Sequence, residues 1–114
     1  MAKTWKRLFG PAQVATGPAT VFTAPALTKV RLKFLMVNNP SASPVTISAS
    51  IGADAAATRF WDAYSIPAKA AGVTDSFRSY FVDIVLEPGE ILQLSAGTNN
   101  ILTVVGTGEQ ESLG

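Results

Sequence analysis

Neither histidine nor cysteine occurs among the 114 residues. Their absence removes the commonest general base, the commonest metal ligand and all thiolate or disulfide chemistry. Zinc has no nitrogen or sulfur donors to draw on. Hydroxyls, carboxylates and amines remain. A serine nucleophile needs a base within reach. No Gly-x-Ser-x-Gly elbow is present, and no spacing favours a Ser-Lys pair. The eight acidic residues would serve glycoside hydrolysis only as a facing pair. They are scattered, and Glu87 and Glu90 bracket Pro88-Gly89, a turn where solvated carboxylates are ordinary. Calcium would need clustered oxygens, for which Asp54, Asp62 and Asp75 would have to converge in space. No glycine-rich loop opens a helix to cradle phosphate. The residues therefore predict no catalytic site, no metal site and no cofactor.

The basic residues suggest binding rather than catalysis. Arg31 and Lys33 alternate on one stretch, and Lys6 and Arg7 sit beside Trp5 and Phe9. A single-stranded nucleic-acid binder joins a basic groove to stacking aromatics. Strict alternation puts Phe34 on the face opposite Arg31 and Lys33, and the net charge is only +1. Nucleic acid is therefore disfavoured as a partner. The distribution of charge says more than its sum. Lys3, Lys6, Arg7, Lys29, Arg31 and Lys33 make the first third wholly basic. Asp83, Glu87, Glu90, Glu109 and Glu111 make the end wholly acidic. Solvated faces account for such a split. Complementarity between neighbouring copies in an assembly is the sharper reading.

The elements that would position these groups are strands. Val30, Leu32, Phe34 and Met36 alternate with Lys29, Arg31, Lys33 and Leu35, and Val45, Ile47, Ala49 and Ile51 alternate with Thr46, Ser48 and Ser50. Period-two alternation gives each strand an apolar and a more polar face. The short break between them, Asn38 to Pro44, predicts an antiparallel hairpin over Thr28–Ile51. Thr20–Thr23 is a short strand. Gly52–Thr58 is a loop with room for one helical turn. Arg59–Ile66 is an aromatic-rich strand with no clean apolar face, which suits a sheet edge or a contact with another subunit. Ala68–Ser76 is a loop. Tyr80–Leu86, Ile91–Ser95 and Ile101–Val105 read as a three-strand meander joined by Pro88-Gly89 and by Gly97–Asn100.

This is an all-β pattern: an antiparallel β-sandwich or jelly-roll-like single domain of about seven to eight short strands. Residues 20–109 form the sandwich, 1–19 an N-terminal arm and 110–114 a flexible tail. No internal repeat, signal peptide or run of roughly 20 apolar residues appears, so no membrane partner is expected.

Several pieces occur in a suggestive order. Phe22-Thr23-Ala24-Pro25-Ala26 precedes a strand closing on Val37-Asn38-Asn39. Tyr64-Ser65-Ile66-Pro67-Ala68 follows. Val85-Leu86-Glu87-Pro88-Gly89-Glu90-Ile91-Leu92 then leads to Ala96-Gly97-Thr98-Asn99-Asn100 and a strand ending Gly106-Thr107-Gly108-Glu109. This arrangement resembles the small β-sandwich structural proteins, head decoration or tail, of tailed bacteriophages. It covers most of residues 20–109 and leaves out the arm. The resemblance implies a virion component without enzymatic activity, made in the host cytoplasm. Capsid decoration, as a cement protein binding the assembled head, comes first. A tail or adsorption-apparatus protein is the alternative. The resemblance implies the major capsid protein or tail proteins as partners, and closed symmetry implies a homo-oligomer, a trimer or higher ring. It brings no functional residues with it. From the residues themselves, Trp5, Lys6, Arg7, Leu8 and Phe9 are the candidate docking arm, and Phe60, Trp61 and Tyr64 the candidate subunit interface. A carbohydrate-binding module, marked by Trp61 and Tyr64 on one exposed platform, and a single-stranded nucleic-acid binder are the readings from other classes.

Overall fold

Strand alternation dictates two layers, since each strand has one apolar face to bury. The computed structural model describes residues 3–69 and 77–113. Asp75 and most of the loop expected at Ala68–Ser76 lie outside them. The strands are β1 Lys3–Gln13, β2 Ala19–Thr23, β3 Thr28–Asn38, β4 Val45–Ile51, β5 Arg59–Ile66, β6 Phe77–Leu86, β7 Ile91–Ala96 and β8 Thr103–Ser112. No helix long and apolar enough to cross a membrane occurs among the described residues.

Two four-stranded sheets run in the orders β1-β8-β3-β6 (sheet A) and β2-β7-β4-β5 (sheet B). Every pairing is antiparallel: β1 with β8, β2 with β7, β3 with β6 and β4 with β5. These are the pairings of one long ribbon folded back on itself at β4–β5. Rolling that ribbon brings β3 beside β8 and β4 beside β7. The result is a jelly roll, as the all-β pattern predicts.

The rolled topology corrects two local expectations. β3 and β4 form no hairpin; they lie in opposite sheets. Pro40 and Pro44 flank the connection and cannot donate to a hairpin ladder. Buried Asn39 turns the chain instead. Its Nδ2 donates to the carbonyls of Ser43, Ile66 and Pro67, and its Oδ1 accepts from the Ser41 amide and hydroxyl. The expected meander is also absent, because β7 pairs in sheet B with β2 and β4, whereas β6 and β8 belong to sheet A. The Pro88-Gly89 turn ties itself to the end of β2 rather than closing a hairpin. Gly89 N donates to Ala24 O, and Ala24 N to Glu90 O.

The stretch expected to be an arm enters sheet A at Lys3 and pairs with β8 from Lys3↔Glu111 to Gln13↔Thr103. Phe9 is buried. The expected end of the last strand at Val105 is also exceeded, because β8 runs on to Ser112 as an inner strand. Its glycines are packing positions. A Cβ on Gly106 would overlap the Phe9 ring, and one on Gly108 would meet the Arg31 carbonyl.

Between the sheets lie Val30, Leu32, Leu35 and Val37 from β3, facing Ile47, Ala49, Leu92 and Leu94 of sheet B, all buried. Each large member contributes about 1.5–3 kcal/mol relative to exposure. An exposed ion pair contributes about 0–1 kcal/mol, so the apolar faces decide the fold.

Asn39 is the polar exception in that interior. Asn39→Ala should lower unfolding stability by roughly 2–3 kcal/mol, because it orphans buried carbonyls. Asn39→Asp should cost at least as much at neutral pH, since its carboxylate would face those carbonyls. Urea unfolding checks both. A loss below about 0.5 kcal/mol for Asn39→Ala would refute the corner's role.

Candidate functional site

Sequence alternation assigns Phe34 and Met36 to the same face as Val30 and Leu32. The structure corrects this. Between Leu32 and Phe34 the register of β3 slips against both of its neighbours. This β-bulge at Lys33 reverses the parity. Val30 and Leu32 point inward before it, and Leu35 and Val37 after it. Phe34 and Met36 therefore turn to the outer surface of sheet A. There Phe34 packs edge-on against Phe81, at 5.6 Å between ring centres. Phe81 is 63% exposed, and Lys33 Nζ lies 5.9 Å from its ring centre. Met36 stands opposite Val105 of β8. These four residues make an apolar patch on a sheet face open to solvent.

The other half of this face is charged. Lys3, Lys29, Arg31, Val85, Glu109 and Glu111 line one shallow depression. Lys3 and Lys29 both stand opposite Glu111, and Trp5 and Arg31 both stand opposite Glu109. Ion pairs link Lys3 to Glu111 (4.0 Å), Lys29 to Glu87 (3.7 Å), and Arg31 and Lys33 to Asp83 (3.6 Å each). The basic strands β1 and β3 thus alternate with acidic β8 and with Asp83 of β6. The basic and acidic ends of the sequence are interleaved within one chain. Opposite charges across strands help to set register.

Of the predicted arm, Trp5 is 57% exposed, Lys6 and Arg7 are exposed, Leu8 is half-buried and Phe9 is in the core. Trp5 and Arg7 sit on β1, at the edge of the face just described. The predicted interface residues lie elsewhere. β5 is an edge strand of sheet B, as its mixed pattern predicts. A bulge there, with Ala63 at φ 51°, sets Trp61 opposite Ala49 and Tyr64 opposite Ile47. Both aromatics therefore lie on the inner side of this edge strand, Trp61 half-buried and Tyr64 still 44% exposed. Trp61 stacks on Tyr64 at 5.1 Å, and Tyr80 of β6 meets the two rings edge-on at 5.3 and 5.4 Å. The three rings close the opening between the β5 and β6 edges. Phe60 is half-buried beside Trp61.

The carboxylates at 54 and 62 do converge, but on a cation. Arg59 binds both oxygens of Asp54 at 2.8 Å and Asp62 Oδ1 at 2.7 Å. The two-pronged bond to Arg59 holds the Asp54 carboxyl below the usual carboxylate range. The acids in turn hold the Arg59 proton more tightly. No group of three or more metal-ligating side chains occurs among the described residues.

Two chemical readings can be decided on this geometry. Trp61 and Tyr64 are stacked on each other, which leaves no shared platform for a sugar ring. The outer face of sheet A does bring Phe34 and Phe81 beside Arg31 and Lys33, contrary to strict alternation. Yet acidic rows separate the basic ones, and a nucleic-acid groove needs continuous positive charge. The arrangement suits contact with another protein. Sequence reasoning missed Phe34, Met36, Phe81 and Val105 as surface residues. No local signal marks the Lys33 bulge.

No family model and no curated protein matches this chain. Among solved structures, a chain of the cyanophage Pam1 capsid asymmetric unit is 18% identical, with 99% of this chain and 84% of that one covered, and a TM-score of 0.48. The infectious bursal disease virus VP2 subviral particle gives 15% identity over 96% of this chain and 31% of that one, at a TM-score of 0.37. The structure of the Gt strain of that virus gives 12%, 96%, 28% and 0.32. This chain spans less than a third of those two chains. All three scores lie below 0.5, and neither a shared fold nor a shared role follows from them.

Tyr80 reports on the aromatic closure. Burial pushes its phenol above the usual tyrosine range, and neighbouring Tyr64 raises it further. A raised folded value means stabilisation that is complete below about pH 10 and lost as pH climbs through the folded value. In a Tyr64→Phe variant, Tyr80 is the sole tyrosine, and phenolate absorbance should show a midpoint above about pH 10. Tyr80→Phe should abolish this contribution to alkaline loss of stability. An ordinary midpoint would show the closure to be open.

Proposed function

We propose that this chain is a non-enzymatic structural subunit of a bacteriophage particle, bound to the assembled head as a decoration protein. The observation that carries the reading is the outer face of sheet A. Exposed Trp5 and Phe81 and half-buried Phe34, Met36 and Val105 there sit beside ordered rows of opposite charge, on a rigid two-sheet scaffold. Interface cores are enriched in aromatic residues, Met and Arg, and the face carries Phe34, Phe81, Trp5, Met36 and Arg31. The resemblance across residues 20–109 to small phage structural proteins points the same way. So does the jelly roll at the level of architecture, since that fold recurs in viral capsid domains; architecture alone does not assign function.

The mechanism follows from mass action. A subunit that binds the assembled shell and not its dissociated parts shifts the equilibrium toward the shell. Such a role needs no pocket. It needs many copies, a stable scaffold and a contact face. Trp5 and Arg7, from the candidate docking stretch, belong to that face.

The test is fractionation. Antibody against the purified chain should detect it in particles pelleted from a lysate of the source culture, in stoichiometric amounts. Separation of heads from tails should leave it with the heads. Recovery with the tails would move it to the tail apparatus. Recovery only in the unpelleted fraction would refute a particle role. Removal of the chain should lower the temperature at which heads release their contents.

A further inference from the structure

The outer face of sheet A has a symmetry that names its occupant. Across the face the strands read β1, β8, β3, β6. Their outward charges alternate: Lys3 and Arg7, then Glu109 and Glu111, then Lys29 and Arg31, then Asp83 with Glu87 just beyond. Arg78 of β6 stands opposite buried Val37, on the other parity. Consider a two-fold axis parallel to the strands, midway between β8 and β3. Rotation about it reverses the order of strands and preserves each residue's height along them. Plus-minus-plus-minus then lies over minus-plus-minus-plus. Every basic strand of one copy covers an acidic strand of the other.

We infer that the outer face of sheet A pairs with the same face of a second copy of this chain. The inference rests on that reading of the face as a contact surface and names its occupant in the free chain; a shell that binds through the same face takes the second copy's place. The register within one sheet supplies the contacts. Glu109 stands opposite Arg31, and Glu111 opposite Lys29. Under the two-fold, Glu109 of each copy meets Arg31 of the other, and Glu111 meets Lys29. Trp5 shares a row with Glu109, Arg31 and Val85, so it lands on Val85 across the interface. Arg7 shares a row with Thr107, Phe34 and Phe81. It therefore lands on the Phe81 ring, a cation–π geometry. Met36 meets Val105 in the same manner. The contact is self-complementary in both charge and polarity, which an isologous interface requires.

Size and contrast support this assignment. Four strands at about 4.8 Å spacing and about ten residues in length cover on the order of 600 Å² in projection. That approaches the roughly 800 Å² each partner contributes to a standard interface. Aligned sheets packed face to face are a standard arrangement, with a skew of about 30° set by their twist. The outer face of sheet B lacks these features. Its inner strands present Thr46 and Ser48 from β4, and Gln93 and Ser95 from β7, all uncharged, and its charges are gathered in the Arg59–Asp54–Asp62 cluster at the β5 edge.

Sedimentation of the full chain over a range of concentrations tests the pairing. A reversible dimer is expected. Arg31→Glu and Glu109→Arg should each weaken it on the order of a hundredfold, because the two-fold repeats the repulsion. An equimolar mixture of the two variants should recover the dimer, since each then supplies the charge the other lacks. Phe81→Ser changes no charge and should weaken pairing about tenfold; it serves as the disrupting variant where a charge reversal unfolds the chain. A monomer at all concentrations, a trimer or larger ring, indifference to these substitutions, or no recovery on mixing of folded variants would each overturn the proposal. A monomer would leave the particle assignment standing, because fractionation of the lysate decides that separately.

Discussion

The structure depends on one constraint: the inner faces of two sheets must cover each other. Leu32, Leu35 and Val37 from β3 and Ile47, Leu92 and Leu94 from sheet B have essentially no exposure. Their burial outweighs any surface contact by several fold. The departures from regular strands serve this contact. The Lys33 bulge keeps β3 apolar on its inner side along its whole length, although the sequence changes phase midway. Asn39 turns the chain from one sheet to the other without leaving a buried polar atom unpaired. Gly106 and Gly108 let β1 and β3 close on β8 where side chains would hold them apart.

The same topology gives the charge split its meaning. A chain basic at its start and acidic at its end looks polarised when read in order. In a rolled ribbon the ends become neighbours, since β1 pairs with β8. The basic strands β1 and β3 then flank the acidic strand β8, with Asp83 on the far side of β3. Each pairing is weak, and several such pairs bias register more than they add stability. Their alternation across the face has no counterpart on sheet B.

The fold class and most strand positions were legible because alternation is a local signal. β5 as an edge, the loop at Gly52–Thr58 and a count of about seven to eight strands all follow from it. Which strands pair was not legible. β3 and β4 are adjacent in sequence and look like a hairpin; their separation rests on Asn39 finding carbonyls at Ile66 and Pro67, far along the chain. The N-terminal stretch reads as an arm because Gly10-Pro11 looks like a break, whereas Gly10 in fact lies against the backbone of Val104 within a paired strand. Gly106 to Gly114 reads as a frayed end because it is polar and glycine-bearing, yet β8 runs on to Ser112. The exposed face was hidden by irregularities in two strands: strict parity buries Phe34, and the slip at Lys33 in β3, with a matching one in β6 where Asp83 has φ 47°, turns it out beside Phe81. Trp5 and Arg7 are exposed on the edge strand β1, where basic and aromatic groups have little else to pack on.

The central claim is that the outer face of sheet A pairs, in the free chain, with the same face of a second copy. The most direct measurement uses Trp5, 57% exposed in the isolated chain and one of only two tryptophans. In a Trp61→Phe background it is the sole tryptophan, and acrylamide quenching reads its access to solvent. Protection at high concentration that disappears on dilution is the predicted result. Full quenching at every concentration, in a chain shown to be folded, would mean that the face stays in water and would contradict the account.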